Sequence, residues 1–504
     1  MARYKHTDVE NGQGIFLTVN LKKQLLPGTF EYMLEDLIGN KIDTSMFDKN
    51  YKNDGTGSKA IPPTILMKLI IYGYSKGITS SRKIMKLNGE NIIAKALTGD
   101  MKIHWTTIAG FISGNSEKFQ EVFMKVLIYC VELGLIGGEV FAVDGLRLPS
   151  NASKEMSGTK EELEKKVKLY QGMAEKHIAK HQKHDKEEVE DKEEKRHYEE
   201  RQKYLNGKIE KINNFLKTYE KREGQSGQEL KSNVTDNESA LIRSTSGYLQ
   251  GYIGIAVADK QNQVIISAEV VGASNEGDQL PGLVESTLKN IREAEVKTPE
   301  GKKPIFMGDA NYYSEGNLRA CQEQGVEPII PDAQYGRRLG ENNERRFEAA
   351  DFKYHGEEEY YVCPNGKILK HKNDRKDLPG GREGKIYRAR AEDCRTCPLN
   401  GKCIRTKKDI NKCTGRQIMI TKSNEPGSMC GVMREKLSTE EYQNQYAYRI
   451  QIIEPIFANI KNCIGLDRFT VRGKKKVNGQ WKLFGILHNL GKCLKRYNKN
   501  SESA

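Results

Sequence analysis

The chain has little that would place it in a membrane or outside the cell. No apolar run is long enough to cross a bilayer, because the longest one, near residues 65–74, is short and interrupted. The first residues, Met-Ala-Arg-Tyr-Lys-His, lack the apolar segment of a signal peptide. These absences predict a cytoplasmic protein without a membrane partner.

Closely paired cysteines are also scarce. Of the 10 cysteines, five lie between residues 394 and 430, but they contain one Cys-x2-Cys pair where a zinc ribbon usually has two. In a cytoplasmic chain this uneven distribution argues against disulfides. Two alternatives stay open, a structural Zn²⁺ site or reduced and partly buried thiols. The residues concerned are Cys363, Cys394, Cys397 and Cys403.

Negative charge is in deficit. The chain has 82 Lys and Arg against 68 Asp and Glu, which gives a net charge of +14 and a pI of about 9.0. This balance favours an anionic partner such as nucleic acid, and a basic protein without such a partner is the alternative. A length of 504 residues allows two to four domains with sizeable cores.

The stretch 446–464 sets a carboxylate into a basic, helix-patterned segment. Glu454 lies at the edge of an apolar stripe, and Lys461 follows it by about two helical turns. Pro455 predicts a kink or a new helix start. The stripe has the spacing of an amphipathic helix that buries one face, with Ile450, Ile453, Phe457, Ile460 and Ile464 as its members.

Two aspartates follow short apolar runs earlier in the chain. Residues 140–143 precede Asp144, and residues 304–308 precede Asp309, so each run predicts a buried strand with an Asp at its C-terminal end. Two such aspartates and the glutamate at 454 can hold two divalent cations on oxygen ligands, as phosphodiester chemistry requires. We therefore take these three carboxylates as the candidate catalytic and metal-binding residues.

Several blocks, in the same order, resemble bacterial insertion-sequence transposases of the DDE type. The resemblance runs from about residue 15 to residue 495. Related transposases carry a tyrosine, arginine, glutamate and lysine signature, which Tyr446, Arg449, Glu454 and Lys461 match, although four residues rather than three separate the arginine from the glutamate. The blocks are IPPTILMKLIIYGYSKGITSSRK at 61–83, VDGLRLPSNAS at 143–153, residues 251–279, GDANYYSEGNL at 308–318 and EPIFANIK at 454–461.

The resemblance implies a catalytic core of the RNase H-like α/β class. It implies an enzyme that binds the terminal inverted repeats of its element, cleaves DNA and joins the 3′ hydroxyl to target DNA. Asp144, Asp309 and Glu454 would hold two Mg²⁺ or Mn²⁺ ions per active site, while Tyr446, Arg449 and Lys461 would bind DNA. We expect a homodimer in the DNA complex and association with the nucleoid. The alternatives are a catalytically inactive DNA-binding protein derived from a transposase and a nuclease without strand transfer.

Two further regions are predicted to bind DNA. Thr106 and Thr107 precede an apolar helical pattern and would offer hydroxyls and free amides to phosphate, as in a helix-turn-helix region, unless they only cap a plain helical bundle. Near the C-terminus a basic loop would contact phosphates without sequence preference, with a solvated charge run as the alternative. That loop contains Arg472, Lys474, Lys475 and Lys476.

The pattern of composition divides the chain into six parts. Mixed Lys and Glu with few apolar residues predicts a solvated helical insertion after the first core strand, and the cysteines mark a second insertion. The predicted parts are a helical DNA-binding region at 1–138, core at 139–153, a charged helical insertion and loop at 154–244, core at 245–344, a cysteine-containing insertion at 345–438, and the catalytic helix with a basic tail at 439–504.

Overall fold

Six short helices form the first part of the chain. The computed structural model describes residues 19–51, 59–185, 192–224, 227–244, 247–299, 301–339, 346–356, 358–378, 382–404, 413–421, 425 and 427–502. Three of the helices begin at residues whose side chains cap them, since Thr29 accepts from the Tyr32 amide, Asn91 from the Ala94 amide and His104 from the Thr106 amide. The helices are α1 Phe30–Asp36, α2 Pro63–Ser75, α3 Ser81–Glu90, α4 Ile92–Thr98, α5 Trp105–Gly114 and α6 Phe119–Glu132.

The first core strand leads into a long helical arm. The strand, β1 (Val140–Pro149), is followed by β2 (Ser157–Gly158), α7 (Lys160–Asp185), α8 (Lys192–Lys217) and β3 (Ser232–Asn233), which pairs with β2. The two arm helices run antiparallel, because Tyr170 lies against Lys208 while His177 lies against Tyr198. A thin apolar seam between them is buried, as for a short coiled coil. The seam includes Leu163, Val167, Tyr170, Leu205 and Ile212.

Six strands of the described residues build the central mixed sheet. Besides β1, they are β4 Ala240–Ser244, β5 Gly247–Asp259, β6 Ile265–Val271, β7 Ile305–Met307 and β8 Glu327–Ile329. Their order is β4, β5, β1, β7, β8, with β6 also paired to β5; β1 is antiparallel to β5 and parallel to β7. Helix α9 (Leu280–Glu293) crosses from β6 to β7, and α10 (Glu315–Glu323) joins β7 to β8. The α/β, RNase H-like class predicted from the sequence is confirmed.

The cysteine-containing insertion has its own sheet and its own small core. After α11 (Tyr335–Leu339), five strands pair in the order β13, β12, β11, β10, β9. Our predicted boundary at 344–345 lies outside the described residues. The elements are β9 Lys353–His355, β10 Tyr360–Val362, β11 Ile368–Leu378, β12 Arg382–Ala389, α12 Ala391–Arg395, α13 Asn400–Cys403 and β13 Gln417–Thr421.

Three helices complete the fold, and the last one runs through its centre. They are α14 Met429–Lys436, α15 Glu440–Ala458 and α16 Lys474–Glu502, with a π-helical turn at Asn459–Cys463. Helix α16 packs against α6 on one side and β6 on the other. Its Trp481 is 1% exposed and donates to the Ile255 carbonyl at 2.8 Å. None of the helices in the described residues is both long and apolar enough to cross a membrane.

Helix α15 differs from its prediction in two ways. Pro455 lies inside a continuous α-helix, so no new helix begins there, and the departure from α geometry comes four residues later, at the π turn. Ile450, predicted in the buried stripe, is 53% exposed. The helix instead buries Ile452, Ile453 and Ile456, because its contact with β1 and β5 uses a face rotated from the one that we predicted.

A buried histidine links α16 to the sheet. His488 is 2% exposed. Its Nε2 lies 2.9 Å from the Gln263 backbone carbonyl, and its Nδ1 lies 3.0 Å from the side-chain Nδ2 of Asn459. The carbonyl can only accept and the amide can donate, so the neutral ring satisfies both partners with its proton on Nε2. Burial lowers the pKa of His488 to about 4.

We expect this histidine to make the protein sensitive to mild acid. Because the folded pKa lies below the usual 6.5, the unfolded chain binds the proton first, and stability falls as pH drops from about 6.5 towards 4, by about 3 kcal/mol in total. His488→Gln should remove this component of the slope. Urea unfolding of both proteins between pH 4 and 7 measures it, and parallel slopes would contradict the assignment.

Candidate active site

The two predicted aspartates come together because their strands are parallel neighbours in register. Val140, Phe141 and Ala142 of β1 lie opposite Ile305, Phe306 and Met307 of β7. Asp144 and Asp309 each follow the last matched pair by two residues, so they reach the same level of the sheet. Asp144 lies within β1, which continues to Pro149, and not at the C-terminal end of a strand as predicted.

A third carboxylate that the sequence analysis did not select joins them. Glu276 follows β6 and directly precedes a 3-10 turn at Gly277–Gln279. One oxygen from each of Asp144, Glu276 and Asp309 lies within 4.8 Å of the others. Glu276 is 2% exposed; its Oε1 accepts from Asn311 Nδ2 at 3.3 Å, and its Oε2 is buried without a hydrogen-bond partner.

The carboxylates perturb one another. Burial, and next the nearby charge of Asp144, raises the pKa of Asp309. Burial also raises the pKa of Glu276, with the charges of Asp309 and Asp144 adding to it. The hydroxyl of Tyr312 is buried among the same three groups, and burial raises its pKa well above the usual value, so it keeps its proton at neutral pH. Oxygen donors of this kind, with one of them unpartnered, fit a hard divalent cation such as Mg²⁺ or Mn²⁺.

One arginine offsets part of this negative charge. Arg449 on α15 donates from Nη1 to Asp144 Oδ2 at 3.1 Å, and its side chain is 11% exposed. Its Nε is buried without a partner. Tyr446, one turn earlier, packs its ring edge-on against Tyr335 at 5.4 Å. Helix α15 therefore brings two members of the predicted signature to the edge of the carboxylate site.

Comparison with known families supplies the identity. Residues 362–494 match the family model described as Transposase DDE domain, and residues 19–114 match the one described as Transposase domain (DUF772). Both matches are to transposase domains, and together they support an insertion-sequence transposase of the DDE type. No curated protein matches the chain. The signature residues of α15 lie inside the match to the Transposase DDE domain, whereas Asp144, Glu276 and Asp309 lie outside both matches.

The third predicted carboxylate of the transposase does not lie with the other two. Glu454 is exposed, and it does not belong to the group formed by Asp144, Glu276 and Asp309. It follows Arg449 by five residues, which rotates it about 140° around the helix from the arginine that faces the site. Lys461 is exposed on the π turn that follows α15.

The backbone amides of the two predicted threonines are both hydrogen-bonded within the chain. Helix α5 begins at Trp105, so the two threonines lie inside its first turn and not before it; its N-cap is His104, whose Nδ1 accepts from the Thr106 amide at 3.4 Å. The Thr107 amide donates to the His104 carbonyl at 3.1 Å. The prediction of free amides at this helix start is therefore wrong, because the histidine caps it, and both threonine side chains are exposed.

The basic segment after α15 is partly helical. Lys474, Lys475 and Lys476 form the first turn of α16 instead of a loop. Lys475 pairs with Glu117 on the surface, and Arg472 Nε donates to the Asn151 carbonyl at 2.6 Å. Arg472 therefore lies near the end of the strand that carries Asp144, since Asn151 comes two residues after the end of β1.

The cysteines of the insertion surround one small cavity. Cys363, Cys394, Cys397 and Cys403 all line it. Two sulfurs accept backbone amides, Cys363 Sγ from Lys367 at 3.3 Å and Cys394 Sγ from Arg416 at 3.2 Å. Among the described residues, no three of these sulfurs lie within 4.8 Å of one another. The thiols are thus gathered but are not at the spacing of metal ligands.

Sequence reasoning missed Glu276 because its surroundings are those of a loop. Its neighbours, Ser274, Asn275 and Gly277, carry no strand or helix period, and our attention went to acids at strand ends. The signal that was present is its place between a predicted strand and a predicted helix of the core, within a block that resembles the family.

We expect Arg449 and Asp144 of the transposase to be energetically coupled. Arg449→Gln leaves the carboxylates without their cation and should lower the free energy of unfolding by about 3 kcal/mol in chelator. In a double-mutant cycle with Asp144→Asn, the coupling energy should be about 1 to 3 kcal/mol. The exposed pair Lys289 and Glu293 is the control, with a coupling below about 0.5 kcal/mol. Equal couplings for the two pairs would contradict the expectation.

Proposed function

We propose that this transposase cuts the ends of its element by phosphodiester hydrolysis and joins the freed 3′ hydroxyl to target DNA. The observation that carries the proposal is the placement of Asp144 and Asp309 at matching positions of two parallel strands, within a chain of the transposase family. The terminal inverted repeats and the target are its DNA partners, and the complex is a homodimer.

The aspartates provide the site and the basic residues position the strand. Asp144 and Asp309 would hold a divalent cation, with Glu454 as the third ligand predicted from the signature. The chemistry that such a cation would supply is a lower pKa for the attacking group and stabilisation of the leaving oxygen. Arg449 holds Asp144 in place by its hydrogen bond from Nη1. Lys461 is exposed and can reach a phosphate.

DNA binding is proposed for three surfaces. Thr106 and Thr107 on α5 present exposed hydroxyls within residues 19–114, the region that matches the Transposase domain (DUF772). Tyr446 and Arg449 border the carboxylates. The third surface is the start of α16, whose lysines cluster near the strand that carries Asp144. Contacts of these kinds with phosphates give affinity that falls as salt rises. The residues of this third surface are Arg472, Lys474, Lys475 and Lys476.

The aspartates can be tested by separating cleavage from binding. Asp144→Asn and Asp309→Asn should each slow cleavage and joining on the order of a thousandfold, equivalent to about 4 kcal/mol. End binding should survive, because loss of one negative charge near phosphate does not weaken it. Gel shifts and cleavage of the same labelled terminal DNA, with Mg²⁺ or Mn²⁺, provide both measurements.

Two control variants sharpen the cleavage test. Glu323→Gln removes an exposed carboxylate from α10 and should cut at the parental rate. Lys461→Ala should weaken binding and cleavage together, since it removes a phosphate contact. An aspartate variant that cuts at near-parental rate would exclude that residue from the site. Cleavage without any joined product, in the parental protein, would indicate a nuclease instead.

We also propose that the cysteine insertion binds one structural zinc. The four thiols line one cavity, and backbone amides donate to the sulfurs of Cys363 and Cys394. A tetrahedral site, with Zn–S bonds of about 2.3 Å, would draw the sulfurs closer together than they lie.

Metal analysis decides between zinc and free thiols. Freshly reduced protein should contain about one zinc per chain. Cys397→Ser should lower that content, while Cys463→Ser, which changes an exposed cysteine outside the insertion, should leave it unchanged. Zinc-free parental protein that folds normally would establish the alternative of reduced thiols.

A further inference from the structure

Glu276 is an unusual residue to find buried. Its side chain is almost wholly removed from solvent, and one of its two oxygens has no hydrogen-bond partner. Burying that oxygen in its charged form is costly, because water has been removed from it and no donor has taken its place. Its neighbours in space are two more carboxylates, Asp144 and Asp309, within 4.8 Å. The surrounding negative charge favours a cation as the partner of this oxygen.

The loop that carries Glu276 is fastened to the loop that carries Asp309. Asn317 is buried, and its Nδ2 donates both to the Gly277 carbonyl at 2.8 Å and to the Tyr312 carbonyl at 2.9 Å. The two backbones also approach closely at Gly277, where a Cβ would lie 2.4 Å from the Asn311 carbonyl oxygen. These contacts fix the position of Glu276 relative to Asp309, whatever else binds.

The strand that carries Asp144 lies directly beside the same side chain. Gly145 follows Asp144, and a Cβ there would lie 3.5 Å from Glu276 Oε1, which is an ordinary van der Waals contact. The closer approach at this glycine is to Ile253 Cγ2, at 2.6 Å from the same Cβ position. Three separate segments of the core, β1, the turn before α9 and the loop after β7, thus converge on one set of oxygens.

We propose that Glu276 completes a divalent-cation site with Asp144 and Asp309 that forms before DNA binds, without Glu454. The inference rests on the proposed function for its chemical role, because the same site would perform the cleavage. The three carboxylates are only partly offset by Arg449 and by the nearby charge of Arg147, so the site still favours a divalent cation. A second cation requires further anionic ligands, which a DNA phosphate and Glu454 supply.

The test measures Mn²⁺ binding to the DNA-free, full-length protein by calorimetry and by electron paramagnetic resonance of the free ion. The parental chain should bind one Mn²⁺ at this site. Glu276→Gln should weaken it at least tenfold, and Glu454→Gln should change it less than twofold. The two variants remove the same charge and nearly the same atoms, so their difference reports position alone. Glu276→Asp keeps the charge on a shorter stem and should bind better than Glu276→Gln.

A second measurement needs no variant. Fe²⁺ bound in place of Mn²⁺, with ascorbate and peroxide, cleaves the backbone near its ligands. Cuts near residues 144, 276 and 309 support the proposal, and cuts near 454 in place of 276 overturn it. Parental Mn²⁺ affinity in Glu276→Gln, or equal losses in both glutamate variants, would overturn it as well. Thermal unfolding of Glu276→Gln in chelator should match or exceed the parental temperature, which shows that a loss of binding is not a loss of fold.

The outcomes separate this proposal from the proposed function. If the parental protein binds Mn²⁺ through Glu276 but neither cuts nor joins terminal DNA, the cation site is supported and the proposed function is contradicted. If the parental protein cuts and joins while Glu276→Gln binds Mn²⁺ unchanged, the proposed function is supported and the role of Glu276 is contradicted.

Discussion

The structure is organised around the repulsion of three carboxylates that it holds together. Asp144, Glu276 and Asp309 approach within 4.8 Å, and one cation, Arg449, touches them. Like charges at this distance in a partly buried site repel one another and oppose folding. The surrounding framework must therefore be rigid enough to impose the geometry on side chains that would otherwise separate. A site of this kind is strained without its ligand and is stabilised when a cation enters.

Rigidity comes from the close packing of α16 against the sheet. On β5, Gly254 has no side chain, and a Cβ there would lie 3.0 Å from the ring of Trp481, so α16 lies almost directly on the strand. Asn489 fastens the same helix to β6, since it exchanges two hydrogen bonds with the backbone of Ile265 at 2.9 Å. Nearly the whole of β1 pairs with β5, so the packing of α16 on β5 also fixes the strand that carries Asp144.

The sequence predicted what depends on local period and missed what depends on packing. The apolar runs before Asp144 and Asp309 gave the strands, and the order of strands and helices gave the fold class. The rotation of α15 could not be read from spacing, because Ile450 and Ile452 are equally apolar and tertiary contacts chose the second. Glu276 was missed for a related reason: nothing in its own segment shows that Gly277 and Asn317 carry it to Asp309.

The N-terminal helices belong to the same hydrophobic core as the catalytic sheet. Tyr74 of α2 stacks on Phe484 of α16 at 5.0 Å and accepts a hydrogen bond from Gln480. Gly77 and Gly465 both have positive φ, and a Cβ on Gly465 would lie 3.3 Å from the Gly77 Cα. The two regions matched by transposase families therefore meet without intervening side chains. If residues 19–114 bind DNA as proposed, this packing fixes the distance between the bound DNA and the carboxylates. The cut would then fall at a fixed distance from the recognised sequence.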